Sequence, residues 1–308
     1  MAANLIIIPF AYKAAANTGV NIRNKKSSLD IYLKNCCVAL ISARINNASD
    51  TDCALVTNIN VPEHYRKLLT MNGIHIIRQE FDCFNLGDSY RWSLAFYKLC
   101  ALYRVVRCTQ YDNYSYCDSD VYIQSSFTNV WKECRDHIML YDINEGLDCE
   151  DFKHFMDEVY AFGYNGLITH YGGEFFAANR INVLDFTEKA HELYVQIKDQ
   201  GFETTHGDEF ITSLVAAGMK VSVRNASPYV SRFWTGTFRM ISPCYRTVTV
   251  LHFPAEKEYG LLSLYKKYMV KGKIPSNREV YRICHLHFPS LLTAVKILVK
   301  ALLKIHRK

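Results

Sequence analysis

Apolar and polar positions along this chain follow two rhythms, short unbroken apolar runs and longer stretches of helical spacing. Residues 5–9 are wholly apolar and end in proline, which predicts a buried first strand. After a polar loop, Ser28 is expected to cap a helix running to about Asn46. A second strand is predicted over 53–57. Pro62 then opens a helix that ends near Asn72-Gly73, and a third strand follows over 74–77. Residues 92–106 read as a strongly apolar helix, and a strand over 114–117 delivers the chain to Asp118-Ser119-Asp120. This alternation predicts an α/β fold with a mainly parallel sheet flanked by helices on both faces. Ligands on such sheets bind beyond the carboxyl ends of the strands, where the acidic triplet falls. The second half is more mixed. It offers Gly172-Gly173, a helix over 183–199, a short helix after His206 and a strand over 247–253, and from Glu256 the pattern is helical and basic.

Length and composition narrow the class. The 308 residues, 49% hydrophobic and 21% charged, describe an ordinary globular protein with no low-complexity tract. A catalytic domain over 1–255 with a helical region over 256–308 is the expected division. The 11 cysteines include no C-x-x-C pair, and several lie within apolar segments, as Cys53 and Cys100 do. They read as buried free thiols of a reducing compartment. The first twelve residues show neither a basic leader nor an apolar run of spanning length, so the cytoplasm is the expected location.

Two aspartates one residue apart, just past a strand, can turn toward the same divalent cation. Their hard oxygens suit Mn²⁺ or Mg²⁺, which keep open positions for phosphate oxygens. A metal there stabilises the charge left when a sugar–phosphate bond breaks.

The segment Tyr116-Cys117-Asp118-Ser119-Asp120-Val121-Tyr122-Ile123 resembles the metal motif of retaining GT-A glycosyltransferases, especially glycosyltransferase family 8. That family carries H-x-x-G-x-x-K near the end of its catalytic domain. Here the counterpart is His252-Phe253-Pro254-Ala255-Glu256-Lys257, without the glycine and with the lysine one position early. The resemblance implies a Rossmann-like GT-A fold, a mainly parallel mixed sheet flanked by helices, with Asp118, Asp120 and His252 as metal ligands and Lys257 on phosphate. It further implies that Lys98, in Phe96-Tyr97-Lys98-Leu99, and Ser119 touch the nucleotide sugar. Gly172 and Gly173, in Tyr171-Gly172-Gly173-Glu174, would lie beside the donor sugar, with Tyr171 in place of the family's asparagine.

His206-Gly207-Asp208-Glu209 stands between the Asp-Gln pair of family 8 and the His-Asp-Glu run of family 6. By that resemblance Asp208 holds a sugar hydroxyl and Glu209 faces the anomeric carbon, either as nucleophile or as a charge-stabilising carboxylate. The nucleotide end falls at Pro9-Phe10-Ala11-Tyr12, where Tyr12 is the counterpart of the family's base-side tyrosine. The implied donor is a UDP-sugar and the implied acceptor a glycan or lipid-linked glycan, with no nucleic acid partner expected.

At the end of the chain, Lys296, Lys300, Lys304 and Lys308 recur every four residues among Val, Ile and Leu. This is the pattern of a helix lying in the interface of an anionic membrane, which would place the protein on the cytoplasmic face. Competing classes fit less well. A sugar nucleotidyltransferase ordinarily has a glycine-rich, arginine-bearing loop after the first strand, whereas residues 11–20 contain a single glycine. A non-catalytic carbohydrate or nucleic-acid binding module leaves the ordered acidic and histidine segments unexplained.

Overall fold

The structure, a computed structural model, describes residues 2–13, 22–23, 27–87, 90, 92–235, 243–287 and 290–305. Its centre is a seven-stranded sheet. Strand β1 (Asn4–Phe10) is buried along its whole length and pairs in parallel with β2 (Thr51–Thr57) on one side and β4 (Asn113–Cys117) on the other. Strand β3 (His75–Arg78) continues the parallel half beyond β2. Then β7 (Tyr171–Asn179) enters antiparallel between β4 and β6 (His137–Asp142), and β8 (Ser222–Asn225) closes the edge beside β6. The order is therefore β3-β2-β1-β4-β7-β6-β8. The sheet is mixed because β7 reverses direction. Three further strands, β5 (Val121–Ile123), β9 (Val230–Arg232) and β10 (Val250–His252), form a small second sheet in the order β5-β10-β9.

Alternation along β1 splits the core into two layers. Ile6 and Ile8 face helix α1 (Ser28–Asn46), while Leu5 and Ile7 join a layer built on α3 (Tyr97–Cys108), α6 (Arg180–Gln200) and α7 (Asp208–Gly218). Both faces of the central strands are covered, which explains why they read as continuous apolar runs. Helix α2 (Glu63–Met71) covers α1, and its chain leaves through Asn72 and Gly73, where a positive φ of 68° suits glycine. Two elements fall between β5 and β7 besides β6: α4 (Thr128–Glu133) and α5 (Glu150–Ala161).

Two local expectations are corrected. Ser27 rather than Ser28 occupies the N-cap of α1, and no side-chain cap bond forms there. Residues 92–96 form turns, so α3 begins only at Tyr97, which frees the Trp92 side chain to line a cleft.

After β10 the chain continues through α8 (Gly260–Lys267) and α9 (Asn277–Ile283), the latter held by a full capping box between Ser276 and Glu279. Leu261, Leu264, Val280 and Tyr281 enter the same apolar layer as α1. Helix α10 (Leu291–Ile305) behaves differently. Its Leu291, Leu292, Val295, Leu298, Val299 and Leu302 are exposed, and so is Lys296. The side chains of Lys300 and Lys304, and all of Lys308, lie outside the described residues. The described cysteine thiols are free, and most are buried.

Candidate active site

A cavity of about 550 Å³ opens at the carboxyl ends of β1 and β4. Pro9, Phe10, Ala11 and Tyr12 form one end of it, together with Tyr32 and Pro254. The loop after β1 is held in place because the Tyr12 N–H donates to Asn58 Oδ1 at 2.9 Å and Asn58 Nδ2 donates back to the Tyr12 carbonyl at 3.2 Å. Asp118, Ser119, Asp120, Lys98, His252 and Lys257 line it as well, as do Asp208 and Glu209. Gly172 and Gly173 sit behind the wall rather than on it.

Two backbone hydrogen bonds shape the turn at the triplet. The Asp118 N–H donates to the Glu174 carbonyl at 3.0 Å, which ties the end of β4 to β7. The Asp120 carbonyl accepts from Phe253 N–H at 2.9 Å, next to the antiparallel pairing of Val121 with His252. The small sheet thus delivers an imidazole from 132 positions downstream to the acidic turn. His252 Nε2 lies 3.3 Å from Asp120 Oδ2 and 3.7 Å from Asp118 Oδ2. Ligand atoms of all three residues fall within 4.8 Å of one another. Two hard carboxylates and one imidazole on a common point suit Mn²⁺ or Mg²⁺, so the donor set fits the expected ion.

Electrostatics at this point are strongly coupled. Burial opposes ionisation of Asp120, but Lys257, 2.8 Å away, and His252 outweigh it and hold its carboxyl far below the usual range. Burial likewise disfavours charge on His252, yet Asp120 and Glu174 raise its pKa to about 9. Lys98 bridges the acidic groups, with Nζ 3.3 Å from Asp118 Oδ1 and 3.0 Å from Asp208 Oδ2. Those two carboxylates keep it charged against its burial.

Gly207 explains the extra glycine in the His-Gly-Asp-Glu segment. Its φ is 62°, and a Cβ there would lie 2.9 Å from Trp92 Cβ. The turn places Asp208 and Glu209 in the first turn of α7, at its positive end. Asp208 is buried, and burial together with the Glu209 and Asp118 charges raises its pKa to about 7 against the opposing pull of Lys98. A Cβ at Gly173 would stand 2.4 Å from Asp208 Oδ2 and 2.6 Å from Lys98 Nζ, so any side chain there would displace both groups. The backbone at Gly173 thus lies close against the Asp208 and Lys98 side chains.

Several residues of the site carry no signal in the sequence reading. His170 Nε2 lies 3.1 Å from Glu209 Oε2, its ring stacked on Phe155 at 4.0 Å. Glu158 accepts bonds from Thr204 Oγ1, from the Thr205 N–H and hydroxyl, and pairs with His206 Nδ1 at 2.9 Å, which braces the turn before α7. These contacts hold its carboxyl down at about 2 despite burial. Arg232 and Trp234 reach the cavity from the segment beginning at β9, within the aromatic and arginine-bearing run of residues 229–239 that the sequence marks as an acceptor-binding or membrane-facing surface. Glu174, a charge within the apolar run of β7, also offered a clue, because buried charges are normally paired.

No family model matches this chain, and no characterised protein matches it by sequence. Solved structures do match its fold. An active-site mutant of LgtC superposes with a TM-score of 0.55 at 15% identity, over 91% of this chain and 99% of that one. The galactosyltransferase LgtC in complex with donor and acceptor sugar analogues gives 0.53 at 16% identity, covering 80% and 86%. The bifunctional glycosyltransferase WbbM in its apo form gives 0.53 at 10% identity, over 82% of this chain and 45% of that one. The fold is thus the GT-A glycosyltransferase fold, a mixed and mostly parallel sheet flanked by helices.

Proposed function

We propose that this chain is a metal-dependent glycosyltransferase that moves a sugar from a nucleotide donor, a UDP-sugar, with retention of configuration. The observation that carries the proposal is the meeting of Asp118, Asp120 and His252 from distant parts of the chain in one cavity with Asp208 and Glu209. A bound Mn²⁺ or Mg²⁺ would neutralise the departing diphosphate.

The protein's own groups do the rest. Tyr12 and Tyr32 line the cavity and supply aromatic rings on which a base can stack. Lys98 and Lys257 stand on either side of the acidic turn and supply positive charge to phosphate oxygens. Asp208 holds a sugar hydroxyl. Glu209, backed by His170 and the Gly173 N–H, faces the anomeric carbon and stabilises positive charge there. That role serves a double displacement or a front-face course equally. Trp92, His154 and Trp234 also line the cavity and offer rings to a glycan or lipid-linked acceptor.

A panel of nucleotide sugars incubated with the protein and Mn²⁺ tests this reading. Release of the nucleoside diphosphate from at least one UDP-sugar, abolished by EDTA, is the expected result. Hydrolysis that ignores EDTA, or none across the panel, would remove the proposal.

We further propose that α10 seats the protein on an anionic membrane surface. No helix among the described residues is long and apolar enough to cross a membrane. The exposed leucines and valines of α10, flanked by lysines, suit an in-plane position. Each lysine near an anionic surface contributes about 1 kcal/mol. Ending the chain after Pro289 should therefore reduce co-sedimentation with phosphatidylserine vesicles at least about ten-fold. Equal sedimentation of the two forms would remove the anchor.

A further inference from the structure

Glu174 is a charged residue in a strand that is otherwise apolar. It is 2% exposed, and its carboxylate is gripped by one guanidinium, with Arg232 Nε 2.6 Å from Oε1 and Nη2 2.7 Å from Oε2. A buried ion pair of this kind is a weak source of stability, because desolvation offsets most of the attraction. Its position suggests another use. Arg232 and His252 are register partners on β9 and β10, so the guanidinium and the imidazole lie side by side. Glu174 Oε1 is 3.5 Å from His252 Nδ1, an atom that has no formed hydrogen bond among the described residues. The opposite nitrogen of the same ring, Nε2, points at Asp118 and Asp120.

We infer that Glu174 and Arg232 are a positioning pair for the metal centre. Glu174 orients the His252 ring by accepting from Nδ1–H, and Arg232 fixes Glu174. With Nδ1 donating, the Nε2 lone pair is presented to the cation. A carboxylate behind a ligating histidine acts in this way on metal affinity. Gly172 supports the assignment independently. A Cβ at that position would fall 1.9 Å from Glu174 Oε2 and 2.9 Å from Arg232 Nη2, so the pair closes only because residue 172 has no side chain. The same guanidinium reaches toward the sugar-facing end of the site, 3.9 Å from Glu209 Oε1. One arginine thereby spans from the metal ligand to the carboxylate at the anomeric carbon.

This inference rests on the metal-dependent reading above, and its test reads metal binding rather than turnover. Mn²⁺ affinity of the full chain is measured by electron paramagnetic resonance for the wild type, Glu174→Gln, and the double variant Glu174→Leu with Arg232→Met. The double variant removes both charges and so leaves no uncompensated ion in the core if the single variant folds poorly. Binding weakened by roughly 10–100-fold in folded variants, with an altered histidine nitrogen coupling to Mn²⁺, is expected. A folded double variant that binds Mn²⁺ within about two-fold of the wild type would overturn the inference alone, since loss of such an outer partner costs ten-fold or more. Failure of the wild type to bind Mn²⁺ would overturn this inference together with the metal-dependent reading.

Discussion

Replacing Asp120 by Asn is expected to reduce turnover by about three orders of magnitude, equivalent to roughly 4 kcal/mol of transition-state stabilisation, while the chain still folds. Asp120 is nearly inaccessible and meets Lys257 and His252 through one oxygen. Asparagine keeps the shape and an acceptor for Lys257 but loses the charge that holds a divalent ion. Its backbone bond to Phe253 is unaffected by the change. Asp120→Ala should be equally inactive and less stable, because the buried Lys257 ammonium loses its nearest carboxylate. Circular dichroism melts alongside nucleotide-release assays separate the two effects. Full activity in Asp120→Asn would remove the residue from the metal site.

Asp208→Asn should show the opposite pairing of effects, a more stable protein that is nearly inactive. The folded-state pKa of Asp208 is raised from 3.8 to about 7, chiefly by burial. Between those values the unfolded chain releases a proton that the folded chain retains. Stability therefore falls as pH rises from about 4 to 7 and levels off above that. The accumulated cost at pH 8 is on the order of a few kcal/mol. Asparagine carries no proton to lose, so the variant escapes this decline. In EDTA its melting temperature should exceed that of the wild type by several degrees at pH 8, and the gain should shrink toward pH 5. Turnover should drop about 100-fold or more, because the group that holds the sugar hydroxyl has lost its charge. An unchanged melting difference between pH 5 and pH 8 would contradict the buried carboxyl. The trade is the familiar one in which a group strained by its surroundings is kept for function.

The parts of this fold legible in the sequence are those where burial is nearly uniform. Residues 5–9 and 53–57 are central parallel strands covered on both faces, and they read as such because nothing polar interrupts them. The acidic turn was legible because its residue types and its place after a strand both carry meaning. His252 was visible only through motif resemblance, since pairing of β5 with β10 joins segments far apart in sequence. Lys257 departs from the spacing of the motif it resembles. The family's glycine is absent and the lysine comes early, yet a short 3-10 turn over Pro254–Glu256 still brings its ammonium 2.8 Å from Asp120.

Other features were less accessible for physical reasons. The mixed character of the sheet was legible only through the resemblance, because the reversal at β7 comes after the short strand β6, which forms no long regular signal. Phe152, Phe155, Met156 and Val159 do have helical spacing, so α5 was in principle readable. His170 and Glu158 were not. Each works through partners 39 to 48 residues away, and a lone polar residue in a half-apolar segment looks like any other. Gly207 and Gly173 were noticed as glycines, but the reason for each is tertiary: the Trp92 side chain in one case, Asp208 and Lys98 in the other.

The proposed chemistry requires one cation shared by two carboxylates of the turn after β4 and the imidazole of β10. A crystal of the full chain grown with Mn²⁺ and UDP measures this directly. The expected result is a single ion bound to Asp118, Asp120 and His252 Nε2 at about 2.0–2.3 Å, with diphosphate oxygens completing its shell. Manganese elsewhere, or these three side chains turned away from a common ion, would contradict it.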